Sequence, residues 1–414
     1  MTERFAAEYI LRTRGDPRRA AETVAGEQSS GTFIAVPNED AALKERSAAR
    51  VEALEEIADP GTPVLPGSAG EGPTTSWRLR ITWPLENIGP SLPNLVATVA
   101  GNLSELKQVA GLKLTKLELP TPFFEAYPGP AFGIEGTRRL TGVADGPVIG
   151  TIVKPSVGLT PEGTADLVDE LCAGGIDFIK DDELQADGPR CPFEARFAAV
   201  MAVIERHADR TGRKVMYAVN ITGEIDEMKR RHDIVAAGGG TSIMVSLNSV
   251  GLTGLTALRR VSSLPIHAHR NGWGILGRTP DSGWAYPAWA TLWRLAGVDH
   301  MHVNGIANKF WEPDDSVIAS ARALLTPLHP DHAYRVMPVF SSGQTVFQAE
   351  PTYRALGSTD LIYCAGGGVV AHSAGVAAGV ASLREAWEAA VAGVPLAEAA
   401  KGSPVLQQAI ETFS

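Results

Sequence analysis

The sequence is poor in cysteine, with three in 414 residues: Cys172, Cys191 and Cys364. They form no Cys-x-x-Cys pair, and they are too few for the disulfide framework of a small secreted protein. No apolar stretch reaches the ~18 residues that suggest a membrane-spanning helix. The charged N-terminus also lacks the apolar core of a signal peptide. We therefore expect buried free thiols, a cytoplasmic location and no membrane partner.

Long basic runs are absent as well. The chain has 37 Lys and Arg against 47 Asp and Glu, which gives a formal net charge of −10. Because a nucleic-acid-binding protein needs a basic surface to neutralise phosphates, we expect no nucleic-acid partner. Hydrophobic residues (44%) and charged residues (20%) occur in globular proportions, so wholesale disorder is not expected.

Glycine, by contrast, is abundant. The chain has 43 glycines, about a tenth of its residues, where ~7% is usual. They follow no collagen-like period. Such an excess favours a fold with many tight strand-to-helix turns, or with backbone that approaches a ligand closely.

Residues 1–126 mix strand-like and helix-like patterns. Alternation over residues 76–84 predicts a strand, and apolar residues at helical spacing predict a helix over the charged stretch 40–56. A loop rich in Pro and Gly, at residues 60–72, separates the two. The sequence therefore predicts a compact, ferredoxin-like α+β domain over residues 1–126.

From residue 127 onward, short apolar runs alternate with longer helical patterns. The eight runs lie at residues 148–153, 176–179, 215–219, 242–245, 264–268, 300–303, 336–340 and 361–364. Short runs buried on both faces and separated by helices are typical of βαβ units. Eight units in roughly 290 residues favour a (β/α)8 barrel over an open sheet. The predicted fold class is thus α/β, with a C-terminal TIM barrel over residues 127–414.

Polar and ionisable residues follow most of these runs. Active sites of such barrels lie at the carboxyl ends of the strands. A lone lysine there is usually a solvated rim charge, but many such groups at one barrel mouth predict a site. The residues concerned are Lys154, Lys180, Asp182, Glu183, Asn220, His269, Arg270, His302, Asn304, Lys309, Ser341, Gly343, Gly366 and Gly367.

The second strand end is the most informative. Alternation places Lys180 and Asp182 on one face and Asp181 on the other, and Glu183 can turn inward beyond the strand. Two carboxylates beside a lysine suit Mg²⁺, which prefers oxygen ligands. Lys180 could also add CO₂ and become a carbamate, a third oxygen ligand. The alternative is an ion pair that fixes the barrel mouth.

The seventh and eighth strand ends are rich in small residues. Ser341-Ser342-Gly343 and Gly366-Gly367-Gly368 each precede a predicted helix, a common phosphate site of such barrels. Either turn alone is more simply a tight turn. Together with Arg270 and His302, they predict two anion sites, for a substrate with one phosphate and one carboxylate or with two phosphates.

Several motifs resemble those of the large chain of ribulose bisphosphate carboxylase (RuBisCO). Residues 175–183 resemble its activation-lysine motif, residues 150–155 its first-strand lysine motif, and residues 266–270 its His-x-His-Arg motif. The spacing from His302 to Lys309 matches that from its sixth-strand histidine to its mobile-loop lysine. Residues 27–33 and 101–102 resemble the segments that reach into the partner subunit's active site.

The departures from that pattern are equally specific. Ser156 stands where carboxylases have a second lysine, Trp273 replaces a histidine, and Phe33 replaces a tryptophan. The mobile loop reads Gly305-Ile306-Ala307-Asn308-Lys309 rather than Gly-Thr-x-x-Gly-Lys. The chain is therefore identified as resembling a RuBisCO-like protein, which is not expected to fix CO₂ onto ribulose bisphosphate.

Within that group several activities stay open. The chain resembles most the branch that acts on branched acid sugars, as 3-oxo-isoapionate-4-phosphate transcarboxylase/hydrolase or as the related decarboxylase. The methionine-salvage enolases have a lysine base where this chain has Asn102, which disfavours them. Isomerase activity is a further possibility. A non-catalytic phosphate-binding protein would be expected to have lost Lys154, Lys180 or Lys309, and all three are present.

The resemblance implies a role for each site residue. Mg²⁺ would be held by Asp182, Glu183 and carbamylated Lys180, and would stabilise an enediolate of a phosphorylated keto acid sugar. Lys154 would transfer a proton at carbon, Lys309 would balance carboxylate charge, and His269 would act at the central hydroxyl. One anionic end of the substrate would contact Arg270, His302 and Ser341, and the other Thr32, Gly343, Gly366 and Gly367.

The resemblance also implies a homodimer. If Glu27, Thr32 and Asn102 act as in relatives, each active site needs residues from two chains. Higher oligomers built from such dimers are compatible with the sequence.

Overall fold

A computed structural model of the chain describes residues 3–30 and 38–414. Thr32 and Phe33, the predicted phosphate-facing residues of the first domain, lie outside the described residues. The strands are β1 Arg4–Thr13, β2 Arg50–Ile57, β3 Thr75–Pro84, β4 Gly111–Glu118, β5 Val148–Ile152, β6 Phe178–Lys180, β7 Met216–Asn220, β8 Ser242–Ser246, β9 Ile266–His269, β10 Gly283–Trp284, β11 His300–His302, β12 Met337–Phe340 and β13 Ile362–Cys364.

The helices between them are mostly two to five turns long. They are α1 Pro17–Glu27, α2 Ala41–Ser47, α3 Leu92–Ala100, α4 Thr121–Ala126, α5 Gly133–Thr141, α6 Pro161–Ala173, α7 Phe193–Thr211, α8 Ile225–Ala237, α9 Leu247–Arg259, α10 Trp273–Gly277, α11 Tyr286–Ala296, α12 Asp314–Leu325, α13 Ala349–Leu356, α14 Gly367–Val370, α15 Val376–Ala392, α16 Leu396–Ala399 and α17 Pro404–Phe413. No described helix combines the length and apolar character needed to cross a membrane.

The chain divides into two compact units. One comprises residues 1–128 together with 272–295, and the other comprises 129–271 and 296–414. The predicted ranges 1–126 and 127–414 did not include the segment 272–295 in the first unit. Its short strand β10 pairs in parallel with β4, and Lys113 of β4 donates to the carbonyl of Thr279 (2.7 Å).

The first unit is built on a five-stranded sheet in the order β10-β4-β1-β3-β2. β1 pairs antiparallel with both β3 and β4. Leu79, Ile81 and Trp83 of β3 are fully buried, and Phe5 stacks on Trp83 with ring centroids 5.5 Å apart. The alternation predicted for residues 76–84 is thus a half-buried strand.

The prediction of a helix throughout residues 40–56 is wrong in its second half. Helix α2 ends at Ser47, and β2 runs antiparallel to β3 from Arg50 to Ile57. The charged residues of β2 form cross-strand ion pairs, such as Glu52 with Arg80 (3.0 Å). Tertiary pairing with an adjacent strand outweighs the local helical spacing here.

The second unit is a closed barrel of eight parallel strands. Their order is β11-β12-β13-β5-β6-β7-β8-β9, so each of the eight apolar runs contributes one strand. The barrel interior is filled by apolar side chains that include Phe178, Met216, Met244 and Val339. The predicted α/β class with a C-terminal TIM barrel is confirmed.

Local signals explain where several barrel elements begin. Thr160 caps α6, since its hydroxyl accepts from the N–H of Gly163 (3.1 Å) and Pro161 occupies the first turn.

A buried carboxylate joins elements at the other end of the barrel, away from the carboxyl ends of the strands. There Asp299 accepts from the N–H groups of Gly133 and Ile266 (2.9 and 2.8 Å). The three cysteines are buried and free.

Candidate active site

The end of β6 divides its side chains between two faces of the barrel wall. Lys180 is buried with its side chain toward the mouth, while Asp181 points outward to Arg196 of α7 (3.1 Å). Asp181 also accepts from the Tyr217 hydroxyl (2.6 Å) and the Asn220 N–H (2.9 Å). This network holds the Asp181 side chain on the outer face of the barrel. Lys180 and Asp182 therefore share the mouth-facing side, as predicted.

Lys180 lies beside a carboxylate. Its Nζ donates to the carbonyl of Asp181 (2.7 Å) and stands 3.6 Å from Oε2 of Glu183. The side chain is 1% exposed, so its charge is offset by these contacts and not by water.

Lys154, at the end of β5, is joined to the second carboxylate. Its Nζ donates to Oδ2 of Asp182 (2.7 Å) and to the hydroxyl of Ser156 (2.8 Å). Burial raises the pKa of Asp182, but the hydrogen bond from Lys154 and the charge of Lys180 outweigh it, and the pKa lies below its usual value. Ser156, which replaces a family lysine, thus contacts the proposed catalytic lysine directly.

His269, at the end of β9, faces Glu183. Its Nδ1 accepts from the N–H of Asn271 (3.2 Å), so in the neutral ring the proton is on Nε2, 3.4 Å from Oε2 of Glu183. Burial, together with the charge of Lys180, lowers the pKa of His269 to about 4. Burial raises the pKa of Glu183, yet its interactions with the His269 ring and with the charge of Lys180 bring it below its usual value.

His302 of β11 connects two other strands. Its Nδ1 lies 3.0 Å from Oγ of Ser341 at the end of β12, and its Nε2 lies 2.8 Å from Nε2 of His267 of β9. His269 packs against it with ring centroids 4.5 Å apart. Burial, with nearby positive charge, holds the pKa of His302 well below its usual value. His302 and Ser341, predicted to bind one anion together, are therefore in direct contact.

The loop after β11 lies against the loop after β12. Asn304 and Ser342 adopt the left-handed conformation (φ 73° and 71°), which is uncommon outside glycine, and the Ser342 hydroxyl donates to Oδ1 of Asn304 (2.9 Å). The N–H of Lys309 donates to the carbonyl of Ser342 (3.3 Å). A Cβ at Gly305 would lie 2.2 Å from the Gln344 side chain, so a larger residue there would displace the Gln344 amide.

Lys309, at the outer part of this loop, is exposed. Its Nζ lies 5.2 Å from the ring centroid of Phe310, which is 56% exposed. The ammonium group of Lys309 therefore lies over the ring of the next residue at the surface of the loop.

Arg270 has a buried carboxylate partner that sequence reasoning missed. Its Nη2 donates to Oε2 of Glu312, which also accepts from Nδ2 of Asn304 (2.7 Å). The other oxygen of Glu312 accepts from the hydroxyl of Ser316 (3.0 Å). Glu312 lies in an irregular loop just before α12, where no periodicity indicates which way a side chain points.

Two of the glycines that were predicted to contact the substrate lie next to Lys154 and Lys309. A Cβ at Gly366 would lie 3.7 Å from Cε of Lys154, and one at Gly343 would lie 3.7 Å from Cβ of Lys309. Gly367 begins the four-residue helix α14. These glycines leave open backbone beside the mouth-facing side chains.

Glu27 and Asn102 belong to the first unit and are exposed. Glu27 ends α1, and Asn102 begins a 3-10 turn after α3. In the amide orientation that satisfies both neighbours, Gln28 donates to the carbonyl of Ala97 (3.1 Å) and accepts from the N–H of Asn102 (2.9 Å). The two predicted partner-reaching segments are therefore joined within this unit.

The mouth could bind a divalent metal ion if Lys180 supplied a ligand in addition to the two carboxylates. Among residues 3–30 and 38–414, His, Cys, Asp and Glu side chains form no group of three or more that could hold a metal ion. Asp182, which is paired with Lys154, and Glu183, which lies beside Lys180, provide two carboxylates at this strand end. The donor set fits Mg²⁺ if Lys180 becomes a carbamate, because that would supply the third oxygen ligand.

A (β/α)8 barrel with lysines, carboxylates and a neutral imidazole at the carboxyl ends of its strands has the groups to move protons on a small anionic molecule. The family described as "Ribulose bisphosphate carboxylase large chain, catalytic domain" matches residues 133–413, and the corresponding N-terminal domain matches residues 5–123. The chain belongs to the RuBisCO large-chain family, as its motifs predicted.

Several members of that family are similar to this chain over nearly their whole length. A 3-oxo-isoapionate-4-phosphate transcarboxylase/hydrolase of Xanthobacter autotrophicus is 60% identical over 99% of each chain. A 3-oxo-isoapionate-4-phosphate decarboxylase of Rhizobium etli is 46% identical over 98% of each chain. The crystal structure of a RuBisCO-like protein from Burkholderia fungorum has a TM-score of 0.92 and 44% identity, covering 99% of each chain. These relatives confirm the prediction of a RuBisCO-like enzyme.

Proposed function

We propose that this protein is a 3-oxo-isoapionate-4-phosphate transcarboxylase/hydrolase that acts on a carbon–carbon bond of a phosphorylated keto acid sugar. The observation that carries the proposal is the 60% identity, over essentially the whole of both chains, to an enzyme with that name. The mouth of the barrel supports it, since Lys154 pairs with Asp182 there, and Lys180 and His269 both lie beside Glu183.

Lys154 is suited to proton transfer at a substrate carbon. It is 37% exposed at its side chain, so a substrate can reach it, and its Nζ is oriented by Asp182 and Ser156. A lysine positioned in this way can transfer a proton to or from a carbon of the substrate.

The same mouth is proposed to hold one Mg²⁺. Asp182, Glu183 and a carbamate on Lys180 would be its protein ligands. When bound, it would supply Lewis-acid stabilisation of negative charge on substrate oxygens. Tyr217 and Arg196 hold Asp181 on the outer side of the strand, which keeps the three ligand-bearing residues toward the mouth.

His269 and Lys309 would act on the polar groups of the substrate. Nε2 of His269 lies 3.4 Å from Oε2 of Glu183, and the low pKa of this histidine keeps it neutral and able to exchange a proton with a hydroxyl. Lys309 can balance the charge of the carboxylate, since its loop packs on the Ser342 segment while its side chain is exposed. The phosphate would be bound by the backbone near Gly343, Gly366 and Gly367, with Thr32 from the partner chain.

The active site is further proposed to be shared within a homodimer in the cytoplasm. Glu27 and Asn102 are exposed on joined segments of the first unit and are free to reach a partner. An archaeal RuBisCO from Hyperthermus butylicus, 30% identical with a TM-score of 0.86, is described as dimeric.

A decarboxylase of the same substrate is the second candidate. Two relatives with that name, from Rhizobium etli and Rhizobium rhizogenes, are 46% and 45% identical over 98% of this chain. The two reactions differ in the fate of the carboxyl carbon. A decarboxylase releases CO₂, whereas transfer within the substrate followed by hydrolysis retains that carbon in a product and consumes water.

The test is turnover of 3-oxo-isoapionate 4-phosphate labelled with ¹³C in the carboxyl group, followed by NMR. We expect the label in a new carboxylic acid and little in CO₂. Label released as CO₂ would assign the decarboxylase instead. Turnover of ribulose 1,5-bisphosphate with incorporation of CO₂, or no turnover of either substrate, would reject the proposal. Lys180→Met is the matched inactive control.

A further inference from the structure

The side chain of Gln344 connects the loops that follow β11 and β12. Its Nε2 donates to the carbonyl of Ile306 (3.1 Å), which belongs to the Lys309 loop (residues 303–312). Gln344 is 1% exposed and Ile306 is 7% exposed, so this hydrogen bond is shielded from bulk water. A hydrogen bond inside a protein is electrostatically stronger than the same bond in water. Gln344 therefore holds the inner part of the Lys309 loop.

The amide group of Gln344 also packs on the backbone of Gly305. A Cβ at Gly305 would lie 2.2 Å from both Cδ and Nε2 of Gln344, so the amide fills the space that a larger residue would need. The hydrogen bond to Ile306 and this packing contact fix two successive residues of the Lys309 loop.

The backbone of Gln344 is in turn fixed against the segment that follows β13. A Cβ at Gly368 would lie 2.3 Å from the carbonyl oxygen of Gln344, so the two backbones are in close contact. The carbonyl of the next residue, Thr345, accepts from the hydroxyl of Tyr363 in β13 (2.7 Å). Gln344 thus attaches the Lys309 loop to a firmly held part of the barrel.

The outer part of the Lys309 loop is attached at the surface. Ala307 and Lys309 are exposed. The N–H of Ala307 donates to Asp314 (2.8 Å), and the N–H of Lys309 donates to the carbonyl of Ser342 (3.3 Å). Because water competes for hydrogen bonds at the surface, the position of Lys309 depends on the buried attachment at Ile306, three residues earlier.

One atom of Gln344 opposes folding. Oε1 is buried and has no hydrogen-bond partner in the parts of the chain that the structure describes. A buried acceptor without a donor carries a desolvation cost. An apolar side chain of the same length would remove that cost while losing one hydrogen bond, so we expect the stability to change little. The position of the loop explains this glutamine better than the stability of the barrel does.

We propose that Gln344 is a positioning residue, which holds the Lys309 loop so that the ammonium group of Lys309 reaches the substrate. The consequence for catalysis rests on the proposed function, in which Lys309 balances carboxylate charge. The attachment of the loop does not, and it is measured without substrate.

The first test is hydrogen exchange of the full-length protein, followed by mass spectrometry of peptides that cover residues 303–312. Gln344→Met keeps the length of the side chain and removes the donor, and Gly305→Ala adds a Cβ that displaces the amide. Each variant is expected to exchange about tenfold faster in these peptides. Gln344→Met should also keep the urea midpoint of the wild-type protein. Gln407→Met, at an exposed position of α17, is the matched control and should change neither quantity.

The second test is a double-mutant cycle on turnover of 3-oxo-isoapionate 4-phosphate. Gln344→Met is expected to lower kcat about tenfold and to change KM less than about threefold, because a displaced catalytic group costs rate. In the Lys309→Ala background the same substitution should lower kcat less than about twofold, because the group that it positions is gone.

The proposal is overturned if Gln344→Met leaves exchange in residues 303–312 unchanged, or if it costs the same factor in kcat with and without Lys309. A lower urea midpoint with faster exchange throughout the chain would also overturn it, since that result indicates a purely structural role. Faster exchange confined to the loop, in a protein that does not turn over this substrate, would reject the proposed reaction and leave the attachment by Gln344 standing.

Discussion

Nε2 of His267 lies 2.8 Å from Nε2 of His302 in the interior of the barrel. Only one of these nitrogens can carry the hydrogen of the bond, so the pair is bonded with both rings neutral. Burial and neighbouring positive groups keep the pKa of both histidines well below the usual value. The contact therefore orients His302 toward Ser341 without placing a charge in the core.

We predict that His267→Leu destabilises the protein, because it takes this partner away from the buried His302. The expected loss is about 1–3 kcal/mol in the free energy of unfolding, the usual cost of leaving a buried polar group unsatisfied. Urea denaturation measures it. His267→Gln, which can still donate or accept, is the control and should lose distinctly less. Equal losses in both variants would show that packing, and not the hydrogen bond, is responsible.

His300 makes the stability of the barrel sensitive to acid. Its Nε2 lies 2.8 Å from the hydroxyl of Thr137, and burial lowers its pKa to about 3. In the unfolded chain a histidine has a pKa near 6.5. Between these two pKa values the unfolded state binds a proton at this histidine and the folded state does not. The contribution of His300 to the free energy of unfolding is therefore fully present above pH 6.5 and is lost as the pH falls toward 3.

The expected size is about 1 kcal/mol lost from His300 alone between pH 6 and pH 5. Urea denaturation at a series of pH values gives the slope of the unfolding free energy against pH. In His300→Gln that slope should be smaller by close to one proton over this interval. An unchanged slope would mean that the folded state accepts the proton at His300.

The regular parts of the molecule were predictable from sequence. The eight barrel strands are buried on both faces, so their apolar runs are visible without tertiary information. The opposite directions of Lys180 and Asp181 follow from strand alternation alone. β2 was misread as helix because its charged residues face solvent and Arg80, where the spacing of apolar residues carries little information.

Contacts made by irregular segments were not predictable. Glu312 reaches Arg270 from a loop whose path depends on the left-handed Asn304 and on the small Gly305. The pairing of β10 with β4 joins residues about 170 positions apart through only two residues. Such contacts depend on backbone geometry that neither composition nor periodicity encodes.

The outward-facing ion pair behind the active site gives a further prediction. Arg196 and Asp181 are both 0% exposed, and the charge of Asp181 outweighs burial and raises the pKa of Arg196. Arg196→Met should cost about 3–5 kcal/mol, because it leaves a buried carboxylate unpaired. Adding Asp181→Asn should recover part of that loss. A cost below about 1 kcal/mol for the single variant, measured by urea denaturation, would contradict the importance of the pair.

Lys309 should matter for catalysis and not for folding. Its side chain is exposed and contacts Phe310, so Lys309→Ala is expected to leave the urea midpoint unchanged. If it balances charge in the reaction, kcat should fall by about 10²–10³, the usual loss for a group that stabilises developing charge. Lys401→Ala removes another exposed lysine, paired with Glu398, and serves as the control. Full activity in Lys309→Ala would exclude the proposed role.

The proposed carbamate makes metal binding depend on CO₂. Nζ of Lys180 lies 3.6 Å from Oε2 of Glu183, and a lysine cation at this position would oppose the binding of Mg²⁺. The ammonium group first loses a proton, and the neutral amine then adds CO₂ and loses a second proton. A positive group is thereby replaced by a negative one with oxygen donors. We predict that calorimetry finds Mg²⁺ at least tenfold tighter in bicarbonate buffer than in CO₂-free buffer. A tenfold difference corresponds to about 1.4 kcal/mol.

The matched variant is Lys180→Met, which keeps the length of the side chain and cannot form a carbamate. Its affinity for Mg²⁺ should not respond to bicarbonate, and NMR with ¹³C-bicarbonate should show a carbamate signal in wild-type protein alone. Removal of Mg²⁺ by a chelator should abolish turnover reversibly. Equal Mg²⁺ affinity of wild-type protein with and without CO₂ would assign Lys180 to the ion pair with Glu183, the structural alternative for this strand end.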